Sequence, residues 1–233
     1  MSKKKKSTES QSDSVFENPE ALAQQFSKTE EFVEKNKVWV FGLGGLIAVV
    51  LIGFIFGKYY ITSQEDLAQR DLFQAQYYFE GDSLGLALNG DGNNYGFLDI
   101  IDEYAMTDAA NIAQYYAGAT YLKLGDFDNA LRYLNDFSTS DYLVQARAYS
   151  LIGDAHMELG EYENAASFYQ KAADFNANKE FSPAYLQKAA LANEISGNLS
   201  AALANYQTIL DEYFGASEYN EAKKHAARLK GML

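Results

Sequence analysis

Cysteine is absent from the 233-residue chain. Disulfides, thiolate-ligated zinc, thiol nucleophiles and a lipid anchor on an N-terminal cysteine go with it, although the redox compartment stays open. Proline is scarce at two residues, while 18 Tyr and 15 Phe point to helices with aromatic packing. Bases are the third shortage, with 19 Lys+Arg against 32 Asp+Glu and a formal net charge of −13. So acidic a chain is a poor partner for phosphate backbones, which must be neutralised by cations. At 48% hydrophobic and 22% charged residues it folds rather than staying disordered, and its length allows one or two domains.

The charge is partitioned. Residues 1–37 hold seven lysines (3, 4, 5, 6, 28, 35 and 37) and seven acids, so the whole deficit falls on residues 58–233. Between them Val38 to Gly57 is a run of twenty residues without a charge. At about 1.5 Å rise per residue it matches a hydrocarbon core about 30 Å thick, with Trp39 at one end and Tyr59 and Tyr60 at the other as interfacial aromatics. A cleaved signal peptide has a shorter apolar region and a small-x-small exit, whereas Ile61-Thr62-Ser63-Gln64 follows here. The run therefore reads as a transmembrane signal anchor at 38–57. The lysines before it place the N-terminus in the cytoplasm and the acidic bulk outside, in a bacterium the inner membrane and periplasm.

Residues 1–18, with the Lys3 to Lys6 run, read as a disordered basic cytoplasmic tail whose default role is topology. From Pro19, with Asn18 as N-cap, Leu22, Phe26, Thr29 and Val33 recur at helical spacing, giving an amphipathic helix over 19–37 that runs toward the membrane. Within the span Gly45, Val49, Gly53 and Gly57 share a face, and Gly53-xxx-Gly57 is a small-xxx-small pair that admits another helix closely.

Beyond the span the chain repeats itself. Gly118 to Ala130 reads GATYLKLGDFDNA, and 35 residues later Gly153 to Ala165 reads GDAHMELGEYENA. A third copy, Ala190 to Ala202, follows 37 residues further on. The pattern is that of helix hairpins: Gly118, Gly153 and Ala190 let the first helix approach the second, Gly125, Gly160 and Gly197 end the first, and Ala130, Ala165 and Ala202 seat the second. Tyr121, Phe127, Tyr162, Tyr169 and Tyr206 fill the space between. This resembles the tetratricopeptide repeat, and it implies an all-α fold: a single N-terminal transmembrane helix followed by a tetratricopeptide-repeat α-solenoid.

Weaker copies flank these. Ile100 to Tyr104 recurs as Ile209 to Tyr213, so residues 95–105 are the second helix of a degenerate repeat whose first helix is Asp66 to Phe79. The expected exported domain, 58–233, thus holds a degenerate repeat at 66–105, repeats at 111–137, 146–175 and 183–213, and a capping helix at 217–230 with Ser217 as cap and Ala222, Ala226 and Leu229 on its apolar face. Gly81 to Gly96 is expected as one long irregular segment. Its Asn89-Gly90-Asp91-Gly92-Asn93-Asn94 fails the calcium-loop pattern, which wants Asp first, Gly sixth and Glu twelfth, and reads as turns.

Catalytic chemistry has little to stand on. His156 takes the aromatic position that Tyr121 holds in the preceding copy, and His225 reads as a solvated residue of the last helix. Neither a G-x-S-x-G nor a phosphate loop is present, and consecutive acids such as Asp102-Glu103 and Asp211-Glu212 face different sides of a helix. No enzyme, cofactor or metal is expected.

Stacked hairpins instead offer a concave surface lined by first helices. By register it carries Ile112, Tyr115, Ala119, Leu122 and Lys123, then Arg147, Ser150, Asp154, Met157 and Glu158, then Ala184, Gln187, Leu191, Glu194 and Ile195. That is a mixed apolar and acidic groove suited to hydrophobic or basic polypeptide segments, without the Lys/Asn/Arg set that clamps a C-terminal carboxylate. The whole plan is similar to the YfgM-type ancillary subunit of the bacterial Sec translocon, in its Bacteroidota form. The resemblance implies attachment to SecYEG, association with a membrane-anchored periplasmic prolyl isomerase and a chaperone-like hand-off of exported polypeptides. Two other readings remain: a scaffold for another envelope assembly or secretion machine, and a transmembrane regulator acting through helix 19–37.

Overall fold

A computed structural model describes residues 19–233; the basic tail and the Asn18 cap lie outside the described residues. Among those described, secondary structure is entirely helical, in eleven helices. They fall into two units that meet between Tyr60 and Ile61.

In the first unit α1 (Pro19–Lys35) begins on a proline, whose missing N–H costs nothing in a first turn. Hydrogen bonding passes from α1 into α2 (Lys37–Glu80) across Asn36: its N–H donates to the Phe32 carbonyl at 3.0 Å, and its own carbonyl accepts from Val40 N–H at 3.0 Å. Phe26 and Phe32 are exposed. The uncharged stretch 38–57 lies wholly within α2 and none of it is buried. It is the one helix among the described residues long and apolar enough to cross a membrane.

The second unit holds the rest of α2, then α3 (Leu84–Asn89), α4 (Phe97–Glu103), α5 (Asp108–Leu124), α6 (Phe127–Asp136), α7 (Tyr142–Glu158), α8 (Tyr162–Asp174), α9 (Ser182–Ile195), α10 (Leu199–Glu212) and α11 (Tyr219–Lys230). Three antiparallel hairpins, α5/α6, α7/α8 and α9/α10, stack in chain order. Each first helix ends alike. Gly125, Gly160 and Gly197 sit at φ 79°, 75° and 84°, a left-handed conformation that favours glycine. The next N–H reaches back to Tyr121, His156 and Asn193 at 3.0, 2.8 and 2.8 Å, satisfying carbonyls the helix end would strand. The close approach of paired helices needs small residues too: a Cβ on Gly118 would stand 2.5 Å from Leu134 Cγ, and one on Gly153 2.6 Å from the Tyr169 ring. Ala130, Ala165 and Ala202 are fully buried opposite.

One inter-helix position changes chemistry from copy to copy. Tyr121 stacks on Tyr133 at 5.4 Å, His156 stacks on Phe168 at 5.4 Å, and Asn193 Nδ2 donates to Asn205 Oδ1 at 3.2 Å. His156 is therefore a packed ring, held further by a 2.7 Å contact between its Nδ1 and Glu161.

Ahead of these hairpins Ala68, Leu72 and Ala75 of α2 pack with Phe97 and Ile100 of α4, and Phe79 meets the rings of Phe97 and Tyr116 at 6.4 and 5.4 Å. The segment expected to be irregular carries a helix, α3, because Ala87 and Leu88 are drawn into the same core. Beyond it Asp91 accepts from the N–H groups of Asn93 and Asn94 at 2.9 and 2.7 Å and from the Tyr78 hydroxyl at 2.8 Å. These bonds hold its carboxyl far below the ordinary range and explain the loop as turn chemistry.

At the far end α11 buries Ala222, Ala226 and Leu229. Its N-cap is Glu218 rather than Ser217, whose hydroxyl donates to the Glu218 carboxylate at 2.9 Å. His225 is not a solvated face residue. It lies over the Tyr206 ring at 5.0 Å with its Nδ1 3.0 Å from Glu194.

Candidate binding groove

The first helices α5, α7 and α9 carry the residues expected in the groove. Ile112 and Leu191 are exposed apolar side chains, as are Ile195 of α9 and Leu143 of α7. Leu122, Met157 and Gln187 are half-buried, Ala119 is buried, and Arg147 and Glu158 stand exposed. Tyr115 is half-buried against Phe137, at 5.3 Å between rings. Burial pushes its phenol up, and Arg147 works in the opposite direction. The same two influences, in the same order, act on Tyr185 of α9. Arg147 thus stands electrostatically between tyrosines of the helices on either side of its own. It forms no ion pair with any described residue.

The acids behave differently from their sequence reading. Asp154 accepts from Lys188 Nζ and from the Tyr169 hydroxyl, both at 2.7 Å, and Lys188 also donates to the buried Ser150 hydroxyl at 3.3 Å. Its ammonium lies 5.2 Å from the centre of the Tyr169 ring. Burial and the Asp154 carboxylate together push the Tyr169 phenol far up. Glu194 is taken up by the terminal helix, accepting from Arg228 and contacting His225, with its carboxylate mostly covered. Burial alone would raise its carboxyl. Hydrogen bonds from Arg228, Tyr206 and His225 outweigh that and bring it below its ordinary value. Of the three groove acids, two are therefore paired, and the groove is less acidic than its composition implied.

Lys188, Tyr185, Tyr142 and Phe181 are the residues that register counting missed. Lys188 alone gave a usable signal, as the single cation in a helix facing two acidic ones. Together with Leu143 and Arg147, the three aromatics enclose a cavity of about 220 Å³ between α7 and α9. In the other unit a Cβ added at Gly45, Gly53 or Gly57 meets nothing within 4 Å, so that face of α2 is open to a neighbour. Among the described residues no group of three or more His, Asp or Glu is placed to hold a metal ion.

Residues 146–179 match the tetratricopeptide repeat family. The match runs from Ala146, one turn into α7, through α8 into the turn before α9, the hairpin that carries Arg147, Asp154 and Tyr169. No curated protein matches the chain.

Proposed function

We propose that this protein is a membrane-anchored adaptor that binds other polypeptides through the groove of its repeat domain, held on the outer side of a bacterial inner membrane by residues 38–57. The observation that carries the reading is the pairing, in one chain, of a repeat stack with an open aromatic groove and a twenty-residue apolar stretch in which no residue is buried. An exposed apolar surface on that scale is not left to water, and lipid is the solvent that suits it. The lysines ahead of it favour a cytoplasmic N-terminus.

Within that plan we assign the chain an ancillary, chaperone-like part at the Sec translocon, contacting SecYEG and a membrane-anchored prolyl isomerase while it receives emerging segments. The resemblance in domain order supports this, as does a groove of aromatics and an exposed arginine, Arg147, that accommodates unfolded chain. The domain has no catalytic role in this scheme.

Solubilising membranes in mild detergent, capturing the full chain and identifying its companions by mass spectrometry tests the proposal. SecYEG subunits are expected among them. Recovery of another envelope assembly without any Sec subunit overturns the translocon assignment, and a reporter fused after Leu233 that is active only in the cytoplasm overturns the orientation.

A further inference from the structure

Two cavities open at the same structural place one repeat apart. The first, of about 500 Å³, lies between α5 and α7 and is walled by Asp108, Ile112, Phe137, Asp141 and Val144. The second, of about 220 Å³, lies between α7 and α9, where Leu143, Arg147, Ala172, Asn178 and Phe181 take the corresponding positions 35 or 37 residues on. A third, of about 290 Å³, recurs between α9 and α11, with Glu180 in the place of Leu143. The repeat therefore builds a row of side-chain receptacles along the edge where the first helices begin.

Their chemistry differs at matched positions. The first cavity carries two carboxylates and no cation. Asp141 spends one oxygen capping α7, accepting from the N–H groups of Leu143 and Val144 at 2.9 and 3.2 Å, and the other oxygen remains. In the second cavity Leu143 and Asn178 replace those acids, Phe181 replaces Val144, and Tyr142 and Tyr185 complete an apolar wall. Tyr142, Leu143 and Phe181 are 47%, 42% and 46% exposed. Arg147 replaces Ile112, which sets a positive charge where a basic side chain would otherwise enter and offers N–H groups to passing carbonyl oxygens.

The first two cavities are consecutive along the stack, at matched positions 35 or 37 residues apart in the chain, so one extended segment laid along this edge passes both. We infer that this edge reads an extended polypeptide segment carrying a lysine or arginine for the α5–α7 cavity and, at one fixed separation and in one order along the segment, a bulky apolar residue for the α7–α9 cavity. The inference rests on the adaptor reading and gives it a client chemistry: charge complementarity selects the basic residue, and the exposed aromatic wall selects the apolar one.

The test uses the full chain in nanodiscs of zwitterionic phosphatidylcholine, which do not themselves attract basic peptides. Fluorescein-labelled nine-residue peptides, otherwise Ser and Thr, carry one Lys and one Phe at every separation from two to six and in both orders, and binding is read by fluorescence polarisation. A single separation, in one order, is expected to bind about fivefold tighter than the others, and the double variant Asp108→Asn with Asp141→Asn to lose about that factor together with part of the salt dependence. Asn at 141 still caps α7, so the loss is not one of folding. Binding that ignores the separation, binding unchanged in the double variant, or absence of binding by every peptide overturns the inference. The adaptor reading falls separately, when detergent capture returns no protein partner.

Discussion

Lys188 of α9 and Asp154 of α7 face each other at 2.7 Å, with the Tyr169 hydroxyl of α8 on the same carboxylate. Three consecutive helices are thus tied at one atom. Lys188→Met removes the ammonium and leaves a partly covered carboxylate with a single donor. Because Lys188 is 40% exposed the expected loss is modest, about 1 kcal/mol or less. Thermal unfolding of the full chain in detergent measures it, and a double-mutant cycle with Asp154→Asn isolates the pair. A loss in the double variant equal to the sum of the single losses shows that the two side chains do not interact.

Gly118→Ala and Gly153→Ala make opposite demands on one residue. Alanine improves helix propensity by about 1 kcal/mol, but its Cβ would stand 2.5 Å from Leu134 Cγ in one case and 2.6 Å from the Tyr169 ring in the other. Overpacking of this kind costs about 1–3 kcal/mol, so both variants should melt at lower temperature. Gly45→Ala, with nothing within 4 Å, should leave the melting of the repeat domain unchanged. Stabilisation by Gly153→Ala would show that the helices of α7/α8 are not held at this separation.

Acid should loosen the terminal helix first. The Glu194 carboxyl lies below its ordinary value, so its contribution is complete above the unfolded-state value, near pH 4.3, and is lost as pH falls through the lower folded-state value. Protonation then removes the acceptor for Arg228 and His225 on α11. Protection of the α11 amides against hydrogen exchange, taken relative to intrinsic exchange at each pH, is expected to fall below about pH 4 in the wild-type chain. In Glu194→Gln that protection should be lower than in wild type at neutral pH and nearly flat across that window. An unchanged acid response in the variant would move the origin of the loosening elsewhere.

The repeats were legible in the sequence because helix approach demands small residues and helix ends demand glycine at fixed positions, and both leave letters behind. Gly118 and Gly125 therefore announced α5/α6 before any contact was seen. What stayed hidden depends on partners more than thirty residues away. Periodicity places Glu194 on the groove face, but Arg228 and His225, which capture it, belong to a helix two elements later. Lys188 was missed for the same reason, since spacing identifies a face and not the carboxylate across from it. The short α3 escaped because six residues give too little period, and its apolar run is fixed by the core of α2, α4 and α5.

Leu51 lies well inside the proposed span, about 5 Å from its middle, and is 55% exposed. An arginine there should cost about 2.5–3.5 kcal/mol of insertion free energy, enough to turn a fully retained protein into a mixed population. Leu51→Arg is therefore expected to appear partly in the soluble fraction after alkaline extraction of membranes, while Gly53→Ile, which adds apolar surface to an open face, stays in the pellet. The second variant separates anchoring from helix association. A partner seated on Gly53 and Gly57 would be displaced by the larger side chain, lowering the mass of the complex on native gels without releasing the chain from the membrane. Full retention of Leu51→Arg would mean that residues 38–57 do not form the anchor, and the groove would then have to be placed on either side of the membrane by other means.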